Sequence, residues 1–376
     1  MISDALKRID ENLSSWEASI KDPETHQGLV LQRLLRVYSE TEYGQGFGAD
    51  SISTMGEYRE RFPVINYDSL QPWLEKVRSG DHGAFLPEAP VTWVTTRGTT
   101  GRPKVLPVTR GHLEDLFRCG SRAVLNHAMG KGGIMLLRGG VLNLQFPSNT
   151  ETMRVGDREV VYGFSSGTYA RLNPMMMGLS LVPRQEEIDA LGTDLSREGW
   201  ERRYEFIYEK AREEDVVTLM GVAPVQTGFA RYLKRTHGVH PRDIWDISVI
   251  FSTSVAKIQS RYRPKLQRMY GDAPLVEMYT ATEGAFGQQR DSLPYFVPNF
   301  DTYLFEVRVG GDYRMLHEMR RGQWGRLVVS TAMLPRYEIG DLIEAMGDNY
   351  FRVFGRDRLR VVAEHVIYRA LFGWFL

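Results

Sequence analysis

A loop rich in glycine and threonine, from Val94 to Pro107, constrains this chain more than any other segment. It reads V-T-T-R-G-T-T-G-R-P-K-V-L-P. The apolar residues Val91, Trp93 and Val94 predict a strand, and the glycines that follow allow positive φ and close backbone approach. Backbone N–H groups, threonine hydroxyls and the ammonium of Lys104 are the donors that a polyphosphate needs. The same pattern also fits a hairpin turn that carries a surface lysine.

Composition narrows the class of protein. The chain has 376 residues, which predicts one large domain or two unequal ones with a sizeable core. Its 47 basic and 47 acidic residues balance, so no basic surface for nucleic acid or an anionic membrane is expected. The single cysteine, Cys119, excludes a disulfide framework within the chain and is typical of a reducing compartment. The N-terminus lacks a secretory signal pattern, and no apolar run approaches the ~18 residues that span a bilayer. We therefore expect a cytoplasmic protein.

The loop is not a Walker A motif. That motif requires G-x-x-x-x-G-K-[ST], whereas Gly101 is followed here by Arg102, Pro103 and Lys104 with no Ser or Thr after the lysine. Ordinary P-loop chemistry is therefore disfavoured.

The loop instead resembles the phosphate loop of adenylate-forming enzymes, the superfamily of acyl- and aryl-CoA synthetases, peptide-synthetase adenylation domains and luciferases. Their pattern is roughly [ST]-S-G-[ST]-[ST]-G-x-P-K. The chain departs from it at Arg97, where serine is usual. The positions that match, and that the resemblance implies for nucleotide binding or loop shape, are Thr96, Gly98, Thr99, Thr100, Gly101, Pro103 and Lys104.

Two segments upstream of the loop resemble one particular family within this superfamily. The first is T-E-Y-G at 41–44, which is typical of a turn. The second runs from Phe62 to Asp81, where the pattern predicts a short strand followed by a helix capped by Asp or Ser. Both resemble segments that precede the phosphate loop in the auxin-responsive acyl acid amido synthetase family and its microbial relatives.

A second motif, M-Y-T-A-T-E-G at 278–284, follows an apolar run. It resembles the Y-x-x-[ST]-E motif of the amido synthetases. The resemblance implies that Tyr279 lies against adenine, that Thr282 contacts the α-phosphate and that Glu283 holds Mg²⁺. This role suits a carboxylate because Mg²⁺ takes oxygen ligands, often one carboxylate with phosphate oxygens. By itself the string also fits an ordinary junction between a strand and a loop.

Two further motifs follow in the family's order. P-R-Y-E-I-G-D-L-I at 335–343 resembles the Y-R-x-G-D motif, which implies that Asp341 binds both ribose hydroxyls. A carboxylate can accept both bonds, although I-G-D alone is also a common turn. F-G-R-D-R at 354–358 resembles the hinge before a small mobile domain, which implies that Arg356 contacts ribose or phosphate. In the family the hinge aspartate usually stands one residue after the position of Asp357.

The resemblance implies an α/β fold, in which a large adenylate-forming N-terminal domain of β-sheets is flanked by helices and the small C-terminal domain is absent. We expect the large domain at 1–354, with a helical part at 1–80, a phosphate-loop subdomain at 81–250 and an adenine and ribose subdomain at 251–354. Residues 355–376 would form the hinge and the start of the C-terminal domain. Apolar periodicity predicts helices over 6–20 and 29–38, a strand over 216–225 and a helix over 226–236.

The implied function is ATP-dependent activation of a carboxylic acid as an acyl adenylate, with Lys104, Thr282 and Glu283 as catalytic residues and ATP and Mg²⁺ as cofactors. Thr99, Thr100, Lys104 and also Arg97 would neutralise charge on the phosphates. The acyl group would then pass to an amine such as an amino acid, or alternatively to CoA. A separate small C-terminal domain and a second copy of the chain are further candidate partners. The alternative of another class is a degenerate or split nucleotide-binding protein.

Overall fold

The computed structural model describes residues 2–97, 103–173, 175–176, 179–253, 255 and 257–372. The α-helices are α1 (Ile2–Lys21), α2 (Pro23–Ser39), α3 (Glu42–Gly46), α4 (Met55–Arg61), α5 (Tyr67–Arg78), α6 (Arg110–His127), α7 (Ser165–Leu172), α8 (Gln185–Asp189), α9 (Arg197–Ala211), α10 (Ala223–Thr236), α11 (Arg263–Tyr270) and α12 (Leu359–Phe372). The first strands are β1 (Thr92–Thr95), β2 (Val105–Val108), β3 (Gly140–Asn143), β4 (Glu151–Val155), β5 (Arg158–Phe164), β6 (Met175–Met176), β7 (Leu179–Val182), β8 (Val216–Val222) and β9 (Val249–Thr253). The later strands are β10 (Leu275–Ala281), β11 (Gly284–Gln288), β12 (Val297–Pro298), β13 (Leu304–Val309), β14 (Asp312–Met315), β15 (Trp324–Ser330), β16 (Tyr337–Gly347) and β17 (Tyr350–Arg356).

The chain divides into two compact units that interleave along the sequence. Unit 1 comprises Met1–Ala89, Thr109–Asp115 and Tyr295–Leu376, and unit 2 comprises Pro90–Val108 and Leu116–Pro294. The division expected from sequence consists of contiguous segments that end at residues 80, 250 and 354. Because that division runs in contiguous segments and the two units interleave, the two divisions are not equivalent, and the expected one stays a prediction.

Unit 1 is built on an antiparallel sheet with the strand order β14-β13-β15-β16-β17. Helices α1 and α2 confirm the periodicity predicted over 6–20 and 29–38. The buried side chain of Gln27 ties α2 to this unit, because its amide donates to the carbonyls of Phe300 and Tyr303, both at 2.7 Å. Its oxygen accepts from the backbone N–H of Phe305 at 2.9 Å. All three bonds are satisfied internally, as a buried amide requires.

A buried ion pair fixes the start of β16. Arg336 donates from Nε to one oxygen of Glu306 at 3.0 Å and from Nη2 to the other at 3.1 Å. It also donates from Nη1 to the carbonyl of Phe62 at 2.7 Å. Removing one partner of such a pair leaves an uncompensated buried charge and costs about 3–5 kcal/mol. The pair therefore holds the strand on which Asp341 lies.

The main sheet of unit 2 has its strands in the order β11-β10-β9-β8-β3-β7-β6. The five strands from β10 to β7 are parallel, and β11 and β6 pair antiparallel at its two ends. Parallel strands are covered on both faces, which explains their continuous apolar runs. Fully buried side chains from this sheet and from the helices that pack on it include Leu219, Phe229, Leu233, Ile250 and Leu266.

A second, smaller sheet in unit 2 has the order β2-β1-β5-β4. Strand β1 pairs antiparallel with β2 and parallel with β5, and β5 pairs antiparallel with β4. The sheet thus places the end of β1, where the glycine-rich loop begins, beside the end of β5, where helix α7 begins.

Two local predictions are corrected by the structure. Strand β8 ends at Val222 and helix α10 begins at Ala223, whereas the sequence predicted a strand up to Val225. Pro224 lies in the first turn of α10, where its missing N–H costs no hydrogen bond. The T-E-Y-G segment is the start of helix α3, with the side chain of Thr41 accepting from the N–H of Gly44 at 2.9 Å.

The segment from Phe62 to Asp81 also differs in detail. Its expected strand is reduced to one bridge, between Ile65 and Tyr337. Helix α5 is capped by Asn66, which accepts from the N–H of Ser69 at 3.0 Å, and not by Asp or Ser. Asn, Asp and Ser cap about equally well, so propensity could not choose among neighbours.

No helix in the described part of the chain combines the length and the apolar character needed to cross a membrane.

Candidate active site

The glycine-rich loop is closed at its base by two residues of unit 2. Beyond the last β1–β2 pair, the N–H of Thr96 donates to the carbonyl of Lys104 at 2.9 Å. The N–H of Lys104 returns a bond to Oγ1 of Thr96 at 3.0 Å. The chain therefore leaves the sheet after Thr96 and re-enters it at Lys104. The predicted loop donors Gly98, Thr99, Thr100 and Gly101 lie outside the described residues.

The second motif forms a two-residue turn at the carboxyl end of β10. Ala281 pairs with Gly284 across the β10–β11 hairpin, so Thr282 and Glu283 are the turn residues. The hydroxyl of Thr282 donates to Oγ of Ser165 at 3.0 Å. The turn is therefore held both by this side-chain hydrogen bond and by the pairing of β10 with β11.

A tyrosine on α7 holds the same turn through the backbone. Tyr169 donates from its hydroxyl to the carbonyl of Thr282 at 2.8 Å. Burial, and next the nearby negative charge of Glu283, raise the pKa of Tyr169 far above its ordinary value. Its hydroxyl therefore stays protonated and remains a donor at any physiological pH.

The turn brings the two predicted charged residues of unit 2 together. Nζ of Lys104 lies 4.0 Å from Oε1 of Glu283, although the two residues are 179 positions apart in the sequence. The Glu283 side chain is 5% exposed and that of Lys104 is 23% exposed. A separation of 4.0 Å is too long for a hydrogen bond but short enough for a strong interaction in a buried setting. The hairpin interpretation of the loop is thus right about the turn, but Lys104 is not a surface lysine.

Tyr279, the predicted adenine residue, is buried in β10 and packs against Phe286, with ring centroids 5.6 Å apart. The register of the β10–β11 pair shifts between Tyr279 and Thr280. Such a bulge turns the strand and re-aims the side chains beyond it. The role of Tyr279 toward adenine stays a prediction.

The carboxyl ends of β9 and β10 carry hydroxyl groups. Oγ1 of Thr253 and Oγ1 of Thr280 are hydrogen-bonded at 2.8 Å. The sequence predicted a strand over 247–254 with small polar residues at its end, and β9 covers Val249–Thr253. Ligands of parallel α/β sheets collect at this edge.

Unit 1 holds the remaining predicted residues. Asp341 on β16 and Arg356 on β17 are directly opposite in the register. Nη1 of Arg356 donates to Oδ1 of Asp341 at 2.8 Å. The adjacent Asp357 instead accepts from Nε of Arg326 at 2.5 Å. The two residues assigned to ribose thus lie together, while the next carboxylate is turned to another arginine.

The described residues contain no group of three or more His, Cys, Asp or Glu side chains that could hold a metal ion. A cation bound mainly by protein ligands would need such a group. Mg²⁺ keeps several waters and is usually held by one or two carboxylates together with substrate phosphates. Glu283, at the end of a fixed turn beside the loop lysine, is compatible with that mode of binding.

Sequence reasoning missed Ser165 and Tyr169. They precede Thr282 by more than a hundred positions, and a serine and a tyrosine on a short helix carry no motif. Only the packing of α7 shows that they position the Thr282–Glu283 turn.

The chain is similar in sequence and in fold to known proteins. Residues 12–192 match the GH3 family N-terminal domain. The solved structure of the acyl acid amido synthetase AtGH3.15 in complex with 2,4-DB superposes with a TM-score of 0.77 at 16% identity. That match covers 93% of this chain and 71% of that one. The chain is thus similar to acyl acid amido synthetases, as the resemblance in its sequence implied, and the expected α/β fold is confirmed.

Other relatives are similar over different lengths. Jasmonoyl-L-amino acid synthetase JAR4 of Nicotiana attenuata is 22% identical over 419 aligned residues, covering 92% of this chain and 71% of that protein. The probable indole-3-acetic acid-amido synthetase GH3.12 of Oryza sativa subsp. japonica is 29% identical over 155 residues, but the match spans 25% of its length. A 2-hydroxyisobutyryl-CoA ligase structure has a TM-score of 0.61 at 13% identity, covering 88% of this chain and 67% of that one. The chain thus matches only part of the length of these adenylate-forming proteins.

Proposed function

We propose that this chain activates a carboxylic acid with ATP, forms an acyl adenylate, and passes the acyl group to an amine. The observation that carries the proposal is the approach of Lys104 to Glu283, because it brings the end of the glycine-rich loop to the Thr282–Glu283 turn. In the superfamily that these two segments resemble, both contact the nucleotide during adenylate formation. The GH3 match and the amido synthetases among the relatives favour an amine over CoA as acceptor.

In the first step a carboxylate oxygen attacks the α-phosphorus of ATP. The new bond joins acyl oxygen to phosphorus, and the bond from that phosphorus to the bridging oxygen of pyrophosphate breaks. Both reactants are anions, so the site must supply positive charge and donors where the phosphates lie. Lys104 supplies a cation and Thr282 a hydroxyl, and Mg²⁺ held by Glu283 would neutralise charge on the phosphate oxygens.

In the second step the amine nitrogen attacks the acyl carbonyl and AMP leaves. The amine loses a proton as the amide forms. Asp341 is expected to bind the ribose hydroxyls, with Arg356 holding its carboxylate in place. An amino acid is the proposed acceptor, and a small C-terminal domain on a separate chain or a second copy of this chain are proposed partners. We propose a cytoplasmic location because the sequence has a single cysteine, Cys119, which is buried and has no second cysteine in the chain for a disulfide.

The test is carboxylate-dependent exchange of labelled pyrophosphate into ATP, with separate pools of aryl, indolyl and fatty acids. This assay reports adenylation without the acceptor. We expect exchange with one pool, dependent on Mg²⁺ and lost in Glu283→Ala. Addition of amino acids or of CoA to the active pool then identifies the acceptor from the amide or thioester product.

The second candidate, a degenerate nucleotide-binding protein, rests on Arg97 at the position of the usual serine. It predicts ATP binding without exchange for every pool. The amide-forming proposal fails if that result is obtained with folded protein.

A further inference from the structure

Arg97 is the one position where the loop departs from the superfamily pattern, and its surroundings are informative. It follows Thr96 directly, so it is the first residue beyond the closed base of the loop. Its side chain is partly buried in unit 2, with the guanidinium carbon 5.4 Å from the ring centroid of Phe146. This distance is within the range of a cation–π contact.

Phe146 is a fixed platform for this guanidinium. Its ring packs against Phe164 at 5.2 Å and edge-on against Trp200 at 5.1 Å, measured between centroids. Its carbonyl accepts from the side-chain amide of Gln185 at 3.1 Å. The same carbonyl lies so close to Gly167 that a Cβ there would approach it to 1.9 Å, so only glycine fits. The platform cannot shift without disturbing α7.

The described residues compensate the charge of Arg97 only in part. Burial lowers the pKa of Arg97, yet a guanidinium remains ionised in proteins. Within the described residues, no carboxylate forms an ion pair with it; the ring of Phe146 is its contact there. The face of an aromatic ring replaces only part of the hydration that a buried cation loses. Such a site favours the arrival of an anion.

We propose that Arg97 binds the β- and γ-phosphates of ATP and the pyrophosphate that leaves. This inference rests on the proposed function. A planar guanidinium matches phosphate oxygens in pairs, which a serine hydroxyl cannot do. The α-phosphate carries one negative charge, whereas the leaving pyrophosphate carries most of the charge of the nucleotide. A buried cation at the base of the loop therefore stabilises the leaving group more than the adenylate.

The test measures binding of inorganic pyrophosphate and of AMP, each with Mg²⁺, by calorimetry. AMP is the matched ligand because it lacks the β- and γ-phosphates. We expect Arg97→Gln to weaken pyrophosphate binding about 10- to 100-fold and AMP binding less than about twofold. Arg97→Lys keeps the charge but not the paired donors, so it should lose less affinity than Arg97→Gln. Arg154→Gln, an exposed arginine of the same unit, is the control and should change neither ligand.

The outcomes separate this inference from the proposed function. Unchanged pyrophosphate binding in Arg97→Gln overturns the inference, as does an equal loss for pyrophosphate and AMP, which would mean a structural role. A loss confined to the carboxylate substrate or the amino acid also overturns it, because Arg97 would then bind a carboxylate. Wild-type protein that binds pyrophosphate through Arg97 but exchanges no label with any acid pool would sink the proposed function alone.

Discussion

Two carboxylates predicted to bind the nucleotide are held in different ways. Glu283, in unit 2, lies on a two-residue turn, 4.0 Å from Nζ of Lys104. Asp341, in unit 1, lies within strand β16 and accepts a bond of 2.8 Å from Arg356. Both side chains are largely buried, and each has a cationic neighbour.

The difference matches the two proposed tasks. A charge-assisted bond to an arginine fixes the orientation of a carboxylate, which suits the recognition of two ribose hydroxyls. A lysine at 4.0 Å attracts the Glu283 carboxylate without fixing its orientation. The main chain at Glu283 is held by Tyr169 and by the two strands on either side of the turn. A metal-binding carboxylate gains from a main chain that is held in place.

The largest effect is expected for Glu283→Ala. Loss of the carboxylate that would hold Mg²⁺ removes several kcal/mol of transition-state stabilisation, so exchange should fall about 100-fold or more. Exchange of labelled pyrophosphate at several Mg²⁺ concentrations measures it. Glu159→Gln, on the exposed part of β5, is the matched control and should keep wild-type exchange. Wild-type exchange in Glu283→Ala would remove the metal assignment.

Asp341→Ala should act on affinity first. Two hydrogen bonds to the ribose would be lost, which weakens ATP binding about 10- to 100-fold, while acid-dependent exchange at saturating ATP is less affected. Titration of ATP against the variant measures the change. Asp312→Ala, on the exposed strand β14 of the same unit, provides the control. If Asp341→Ala retains wild-type affinity for ATP, the ribose assignment is wrong and the Asp341–Arg356 pair is structural.

The sequence predicted these two carboxylates because each lies in a short string that resembles a motif of the adenylate-forming superfamily. It also predicted the apolar periodicity of α1 and α2 and the turn at the glycine-rich loop. It could not predict that α7 holds the Thr282–Glu283 turn. The contacts of Ser165 and Tyr169 with Thr282 depend on the pairing of β5 with β1, which places α7. Contacts between residues more than a hundred positions apart depend on the topology of the fold, and local sequence patterns carry no information about that topology.

The predicted starts of helices α10 and α5 were wrong for local reasons. Pro224 was expected near the end of a strand, but a proline in the first turn of a helix is equally acceptable, so α10 begins three residues before the predicted 226. Asn66 was passed over as the cap of α5 because Asp and Ser stand beside it in the sequence. In both cases two positions satisfied the same local rule, and packing chose between them.

Tyr169→Phe should give a moderate effect that tests the backbone support of Glu283. It removes the hydroxyl that donates to the carbonyl of Thr282, which costs about 1–2 kcal/mol of stability. We expect kcat for exchange to fall about tenfold, with the Mg²⁺ requirement raised and KM for the acid unchanged.

Tyr270→Phe is the matched control for that experiment. Tyr270 is buried in unit 2 and, like Tyr169, donates from its hydroxyl to a carbonyl, that of Gln226, at 2.7 Å. The two variants should lose similar stability, but only Tyr169→Phe should lose activity. Equal activity in both variants would show that the turn does not need the α7 tyrosine.

The smallest effect concerns a third carboxylate, Glu277, two positions before Tyr279 on β10. Burial raises the pKa of Glu277 from its ordinary 4.5 to about 7, and the side-chain amide of Gln259 donates to its Oε2 at 3.4 Å. A raised pKa means that the folded state binds the proton more tightly. Its contribution to stability is therefore complete below pH 4.5 and is lost as the pH rises through 7.

Between pH 6 and pH 8 this loss should amount to about 1 kcal/mol, or a Tm lower by about 2 °C. Glu277→Gln cannot titrate, so its Tm should fall less than that of the wild type over the same interval, measured by calorimetry in matched buffers. Because a neutral amide keeps the shape and the contact with Gln259, exchange activity should persist. Identical pH profiles of Tm in the two proteins would mean that Glu277 is already ionised in the folded state over this interval.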